Sequence, residues 1–202
     1  MNWAEFMRQW NDELLQTELR TDVPDLDNEW LGTVGATDKQ ISELEKRLEI
    51  ELPQTYRTFL KFSNGWRKLS WWIDRILPTH RVTWFRDNHK DWIDIYLDPY
   101  LSDPERRHMA EKEHSFYGEA QSPYSFKVEY LMDCLQISDT VSTGVFLLNP
   151  KIITPEGEWE AWLFDNSING AERFRSFEEL MQSHYFRYFR AIEIEDDESD
   201  RD

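Results

Sequence analysis

TDKQISELEKRLEIELPQTYRTFLKFSNGW, residues 37–66, is the stretch on which the fold turns. Thr37 and Gln40 stand three residues apart, the spacing at which two side chains satisfy each other's orphan backbone N–H groups at a helix start. Ile41, Leu44 and Leu48 follow at spacings of three and four, one apolar stripe. Leu52–Pro53 restarts the chain, and Pro53 suits a first helical position because its missing N–H has no partner to lose there. Tyr56, Phe59, Leu60 and Phe62 carry the second stripe, and Asn64–Gly65 offers a left-handed cap. The spacing therefore predicts two short, closely linked helices over 37–64.

Upstream, Trp3, Phe6, Met7, Trp10 and Leu14 fall on one face of a helix over Asn2–Gln16. A polar connector follows to residue 36. The Trp-rich face either packs on the domain or pairs with another chain. Downstream, Leu69–Leu77 (LSWWIDRIL) is apolar, ends at Pro78 and reads as a strand. Neighbours in a strand point to opposite faces, so Trp71 and Trp72 share a core only if both faces are covered. Val82–Phe85 is a second short strand or a helix lead-in, and Asp91–Leu97 fits neither period cleanly. Asp103–Pro104 opens a largely polar helix. Tyr130–Ile137, Gly144–Leu148 and Glu158–Phe164 read as three strands with connections too short for helical crossovers. A final helix starts at Ser176, boxed by Glu179, with Phe177, Leu180, Met181, Tyr185, Phe189 and Ile192 along its apolar face. The order predicts a single α+β domain whose mainly antiparallel sheet is packed by N-terminal and C-terminal helices. Its parts are an N-terminal helix and connector (1–36), the α+β body (37–192) with a helical insert at about 86–124, and an acidic tail (193–202).

The 202 residues carry 23 Lys and Arg against 40 Asp and Glu, a net charge of −17, and ten Trp. The last ten residues hold seven of those acids and one Arg; without them the charge is still −11. That field repels phosphate backbones, so direct nucleic-acid binding is not expected. It favours a basic partner. The stretch from Glu195 onward reads as a frayed tail. One Cys excludes an internal disulfide and a Cys-based zinc site. No apolar run reaches the roughly 18 residues of a membrane span, the first residues lack the pattern of a secretory signal, and a cytoplasmic setting is the expectation.

Catalytic signatures are missing from the sequence. There is no Gly-x-Ser-x-Gly elbow, no Gly-x-Gly-x-x-Gly and no Walker pattern. Cys134, in an apolar strand, reads as a buried inert thiol, and Glu111 with His114 is a single Glu-x-x-His pair on a polar helix where a di-iron bundle needs two. The expectation is no enzyme, no catalytic residues, no cofactor and no metal. The competing enzyme reading would need two of the many carboxylates in one cleft at elevated pKa. Glu158 and Glu160 alternate onto one strand face, read as solvated or as a partner contact. With Asp94 and Asp98 in the insert they are the candidate partner-binding residues.

The two-helix stretch resembles the opening of the SUKH superfamily: an I-x-x-x-E-x-x-L helix (Ile41, Glu45, Leu48), a Leu-Pro step (Leu52–Pro53), a Y-x-x-F-L helix (Tyr56, Phe59–Leu60) and a terminal Asn64–Gly65. ILPTHRVTWF (76–85), FLLNP (146–150), GEWEAW (157–162) and GAERFRSF (170–177) are similar to the bacterial branch. The resemblance implies a compact α+β fold with a curved antiparallel sheet. It also implies a bacterial immunity protein that binds and neutralises a cognate toxin domain, often a nuclease, without chemistry of its own. The alternative is an interaction or regulatory module with no toxin partner. Pro53, Asn64, Gly65 and Gly157 are expected to be structural.

Overall fold

The computed structural model describes residues 1–23, 26, 29–140 and 144–199, with backbone alone for Glu119 and residues 192–199. Helix α1 (Trp3–Leu14) starts at Asn2, whose side chain accepts the Glu5 N–H. Its stripe Trp3, Met7, Trp10 and Leu14 is buried in one core with Phe59, Phe177 and Leu69, so the Trp-rich face packs on the body of this chain. Each Met or Leu placed there is worth about 1.5–3 kcal/mol relative to exposure. Helices α2 (Asp38–Leu48) and α3 (Gln54–Phe62) confirm the two-helix reading, and the Thr37–Gln40 capping box is complete.

Two details of that stretch differ from expectation. Pro53 is the cap residue rather than the first helical one and has no side chain with which to cap. The second helix does not close on a left-handed Asn64–Gly65. Ser63 ends it in extended backbone, and Gly65 (φ +103°) turns the chain one step later. A Cβ at Gly65 would stand 3.0 Å from the Ile76 carbonyl oxygen, so glycine serves both the φ and the close approach.

The sheet is a five-stranded antiparallel meander in sequence order: β1 (Thr83–Trp84), β2 (Leu135–Gln136), β3 (Gly144–Ile153), β4 (Trp159–Asp165) and β5 (Gly170–Phe174). Between β1 and β2 the chain leaves to form α4 (Phe85–Asn88), α5 (Lys90–Ser102) and α6 (Pro104–Glu113). Val82–Phe85 is thus both of its alternatives, a strand that runs into a helix. Helix α7 (Phe177–Ser199) follows β5 and runs on into the acidic stretch. It starts as expected, with Ser176 Oγ accepting the Glu179 N–H, but Glu179 turns back to the Arg175 N–H rather than completing the box. Phe177, Leu180 and Met181 are buried as expected; Ile192 lies outside the described side chains.

The sheet is covered on both faces. Phe146, Leu148, Ala161 and Phe174 join α1, α2, α3 and α7 in one core. Val145, Leu147, Trp162, Phe164 and Ala171 join α4–α6 and the turn Val128–Asp133 in a second. Sequence reading named N-terminal and C-terminal helices as the packing on the sheet and assigned the helical insert to no face. The second layer explains why β3 and β4 are buried along most of their length instead of alternating.

Residues 69–77 are not a strand. Leu69 N–H bonds the Asp74 carbonyl and Ser70 N–H the Ile73 carbonyl, a tight turn with Trp71 and Trp72 at its tip. Both indoles are partly exposed and lean on Tyr188 of α7. Tyr130–Ile137 is likewise a 3-10 turn that straightens into a strand only at Leu135. Strand β5 was not recognised as one.

Candidate partner-binding surface

The four candidate carboxylates do not come together. Glu158, just before β4, reaches α3: its two oxygens accept the Thr55 N–H (3.0 Å) and the Thr55 hydroxyl (2.5 Å). It supplies from about a hundred residues away the N-terminal acceptor that Pro53 lacks, where the helix dipole favours a carboxylate. Glu45 does similar work in the α2–α3 link, accepting from the Leu52 N–H (2.9 Å) and from Arg57. Asn64 Oδ1 accepts the Thr79 N–H (2.8 Å). These motif positions hold elements together.

Glu160 is fully buried, which overturns its reading as a solvated or partner-facing group. The shared face fails as well: Glu158 stands outside β4 and turns to α3 in the first layer, while the face that carries Glu160 lies under α6 and the 114–126 segment. Its Oε1 accepts from the Tyr117 hydroxyl (2.9 Å), and its Oε2 from Asn149 Nδ2 (3.1 Å) and Trp162 Nε1 (2.5 Å). Burial pushes its pKa up, and these three donors oppose that shift. Arg173 of β5 sits 3.9 Å away, also buried. Its guanidinium donates to the carbonyls of Glu113, His114 and Phe116, at the C-terminal end of α6 where helix carbonyls lack partners. Gln121 pairs with both the N–H and the carbonyl of Arg173, and Ala171 N–H bonds the Pro123 carbonyl. The insert is thereby pinned along the free edge of β5. A Cβ at Gly170 would stand 2.1 Å from the Pro123 carbonyl oxygen, so the approach requires glycine.

Asp94 and Asp98 lie together on the outer face of α5. That helix was ambiguous because Trp92, Ile93, Ile95, Tyr96 and Leu97 fit either period. Ile93, Tyr96 and Tyr100 face inward at helical spacing. Asp91, Asp94 and Asp98 face outward around Ile95, which is 69% exposed. Asp94 holds Lys90 at 2.7 Å, and this bond lifts the ammonium pKa. Beside this face opens a cleft of about 460 Å³ lined by Trp92, Ile95, Tyr96, Arg106, Tyr124 and Asn166, with Asn169 at its edge. Trp92 Nε1 and the Tyr96 hydroxyl both donate to Asn166 Oδ1 at 2.8 Å, which ties α5 to the β4–β5 turn. Trp92 and Tyr96 back onto Phe164, so the aromatic wall is rigid. Arg106 Nε is buried at this wall without an acceptor. Sequence reading missed these wall residues. The available signal was Ile95, an apolar residue with acids four and one before it and three after.

Cys134 is buried and free, with its thiol pushed well up by burial. Glu111 is engaged by Lys127 at 2.6 Å. Among the described residues no group of three His, Cys, Asp or Glu could hold a metal, and no helix is long and apolar enough to cross a membrane.

No protein of curated function matches the chain. The SMI1 / KNR4 family (SUKH-1) model matches residues 35–183, which takes in α2, α3, the whole sheet, the insert and the start of α7. The chain belongs to that family.

Proposed function

We propose that the protein is a non-catalytic immunity protein that binds a basic toxin domain, of nuclease type, and occludes it through the outer face of α5 and the adjoining cleft. Family membership is consistent with an immunity-type protein and suggests a protein partner. The observation that carries the reading is the pairing of an acidic rim with an aromatic wall. Asp91, Asp94 and Asp98 present carboxylates around Ile95, beside Trp92, Tyr96 and Tyr124. Interfaces draw affinity from a few buried aromatic anchors, while rim charges set encounter rate and register. A nuclease surface shaped for phosphate is basic, and an acidic face occupies it without bond-making.

Of the four carboxylates, Asp94 and Asp98 carry this role; Glu158 and Glu160 are structural supports. Asp94→Lys combined with Asp98→Lys is expected to slow association with a cognate toxin domain by about tenfold or more. Raising salt is expected to slow the unmodified protein in the same way. Stopped-flow mixing reads both. An association rate indifferent to salt and to the double reversal would remove the steering role from α5.

A further inference from the structure

The first core layer carries a feature opposite in sign to the rest of the protein. A cleft of about 560 Å³ opens between the 33–37 connector and the 64–81 segment, lined by Arg67, Arg75, Arg81 and His80. It continues, through shared Gln40 and His80, into a second hollow of about 330 Å³ along α2 that adds Arg47. Glu43 is the acidic residue lining the pair. With Asp74 and Asp139, which pair with Arg75 and Arg81, the groove holds four arginines against three acids, in a chain with 40 acids and 23 bases.

Its guanidiniums are arranged around a carboxylate already. Arg75 Nε and an Arg81 Nη nitrogen meet the two oxygens of Asp139 at 2.9 and 2.7 Å. Arg75 also holds Asp74, at 3.0 Å. Arg81 spends only that one nitrogen, which leaves further donors of its planar fork open. Two apolar or polar features beside the cations lack partners. Val34, on the connector rim, is 91% exposed, the most exposed large apolar side chain described. Trp66, almost wholly buried in the groove wall, has an indole N–H with no acceptor. An open groove with several guanidiniums, an exposed apolar contact and a spare buried donor suits an extended chain bearing carboxylates better than a compact free anion.

We propose that this groove binds an acidic peptide segment of a protein partner, with Arg75 and Arg81 taking its carboxylates and Val34 an apolar side chain between them. The long-range field of the −17 chain opposes such a ligand, but at physiological salt it is screened beyond about 8 Å while contacts inside the groove persist. This surface is distinct from the α5 face, which lies in the layer on the other side of the sheet.

The test is fluorescence anisotropy at 150 mM salt with a labelled decapeptide of alternating Glu and Val, and with its Gln–Val counterpart. The Glu peptide is expected to bind and the Gln peptide not. Arg75→Gln with Arg81→Gln is expected to weaken binding about tenfold. Val34→Asp, at a position too exposed to disturb folding, is expected to weaken it several-fold with an unchanged melting curve. Inorganic phosphate at the peptide's concentration is expected to leave the complex intact. Equal binding of the Gln peptide, unchanged affinity in both variants, or displacement by equimolar phosphate would each overturn the proposal, the last by reducing the groove to a free-anion site.

Discussion

Glu160→Ala is expected to destabilise the protein by about 3–5 kcal/mol, the cost of leaving a buried charge without its partner. The variant strands the Arg173 guanidinium, which is buried beside it. It also orphans the donors of Tyr117, Asn149 and Trp162. Asn149 additionally accepts the Lys151 N–H at the irregularity in β3, so disorder spreads toward the β3–β4 hairpin. Against a total of roughly 5–15 kcal/mol, this is a large fraction. At about 2–4 °C per kcal/mol for a chain of this size, the melting temperature is expected to fall by about 10 °C. Glu160→Gln keeps the shape and part of the hydrogen bonding and is expected to lose less. Urea or thermal unfolding reads the difference. A loss under about 1 kcal/mol for the alanine variant would mean that the cluster does not hold the insert. Because the insert carries α5, the same variant is expected to weaken binding at the proposed α5 face without altering that face.

Acid is expected to loosen the opposite layer through His184. The ring is buried between Trp10 and Phe146, and its Nε2 lies 2.8 Å from Ser70 Oγ. Ser70 Oγ accepts the N–H groups of Trp72 and Ile73, which leaves its own O–H to donate to a neutral imidazole. Burial, aided by nearby Arg187, lowers the His184 pKa to about 3. The unfolded chain takes up that proton near pH 6.5, so the unfolded state binds more protons between the two values. Stability is therefore lost as pH falls from about 6.5 toward 3, by roughly 3 kcal/mol from this group between pH 7 and pH 4. His89, also lowered by burial, adds in the same direction. Equilibrium unfolding of His184→Gln across this range is expected to show a flatter pH profile, clearest between pH 6.5 and 5, above most carboxylate titration. Identical slopes for the two proteins would show that the ring is protonated without cost. The turn that Ser70 braces carries Trp71 and Trp72, so acid is also expected to shift tryptophan fluorescence before global unfolding.

What was legible in the sequence was local. The Thr37–Gln40 box, the α1 and α2 stripes and the Asp103–Pro104 start depend on residues within one or two turns, and all appear as read. What was illegible depended on distant chain. LSWWIDRIL has strand composition, yet its paired Trp face a helix more than a hundred residues on, and Ser70 answers to His184. Strand alternation put Glu158 and Glu160 on one face, but Glu158 stands outside β4, and nothing near Glu160 shows that the insert buries it. Glu158 looked like a surface acid because its helix end, at Thr55, lies in another part of the chain. Strand β5 reads as charged because Glu172 and Arg173 occupy its middle; Glu172 pairs with Arg187 of α7 and Arg173 with α6, one on each face. Asp94 and Asp98 share a face because they are one helical turn apart, which needs no tertiary information once α5 is known to be a helix.

The most direct test is survival. The gene beside this one is expressed in a sensitive host, alone, with this protein, and with its Asp94→Lys, Asp98→Lys variant. The expected result is killing by the neighbour alone, rescue by the unmodified protein through a stoichiometric complex, and failed rescue by a variant that still folds. A neighbour that is harmless in the absence of this protein, or rescue that the double reversal leaves intact, would contradict it.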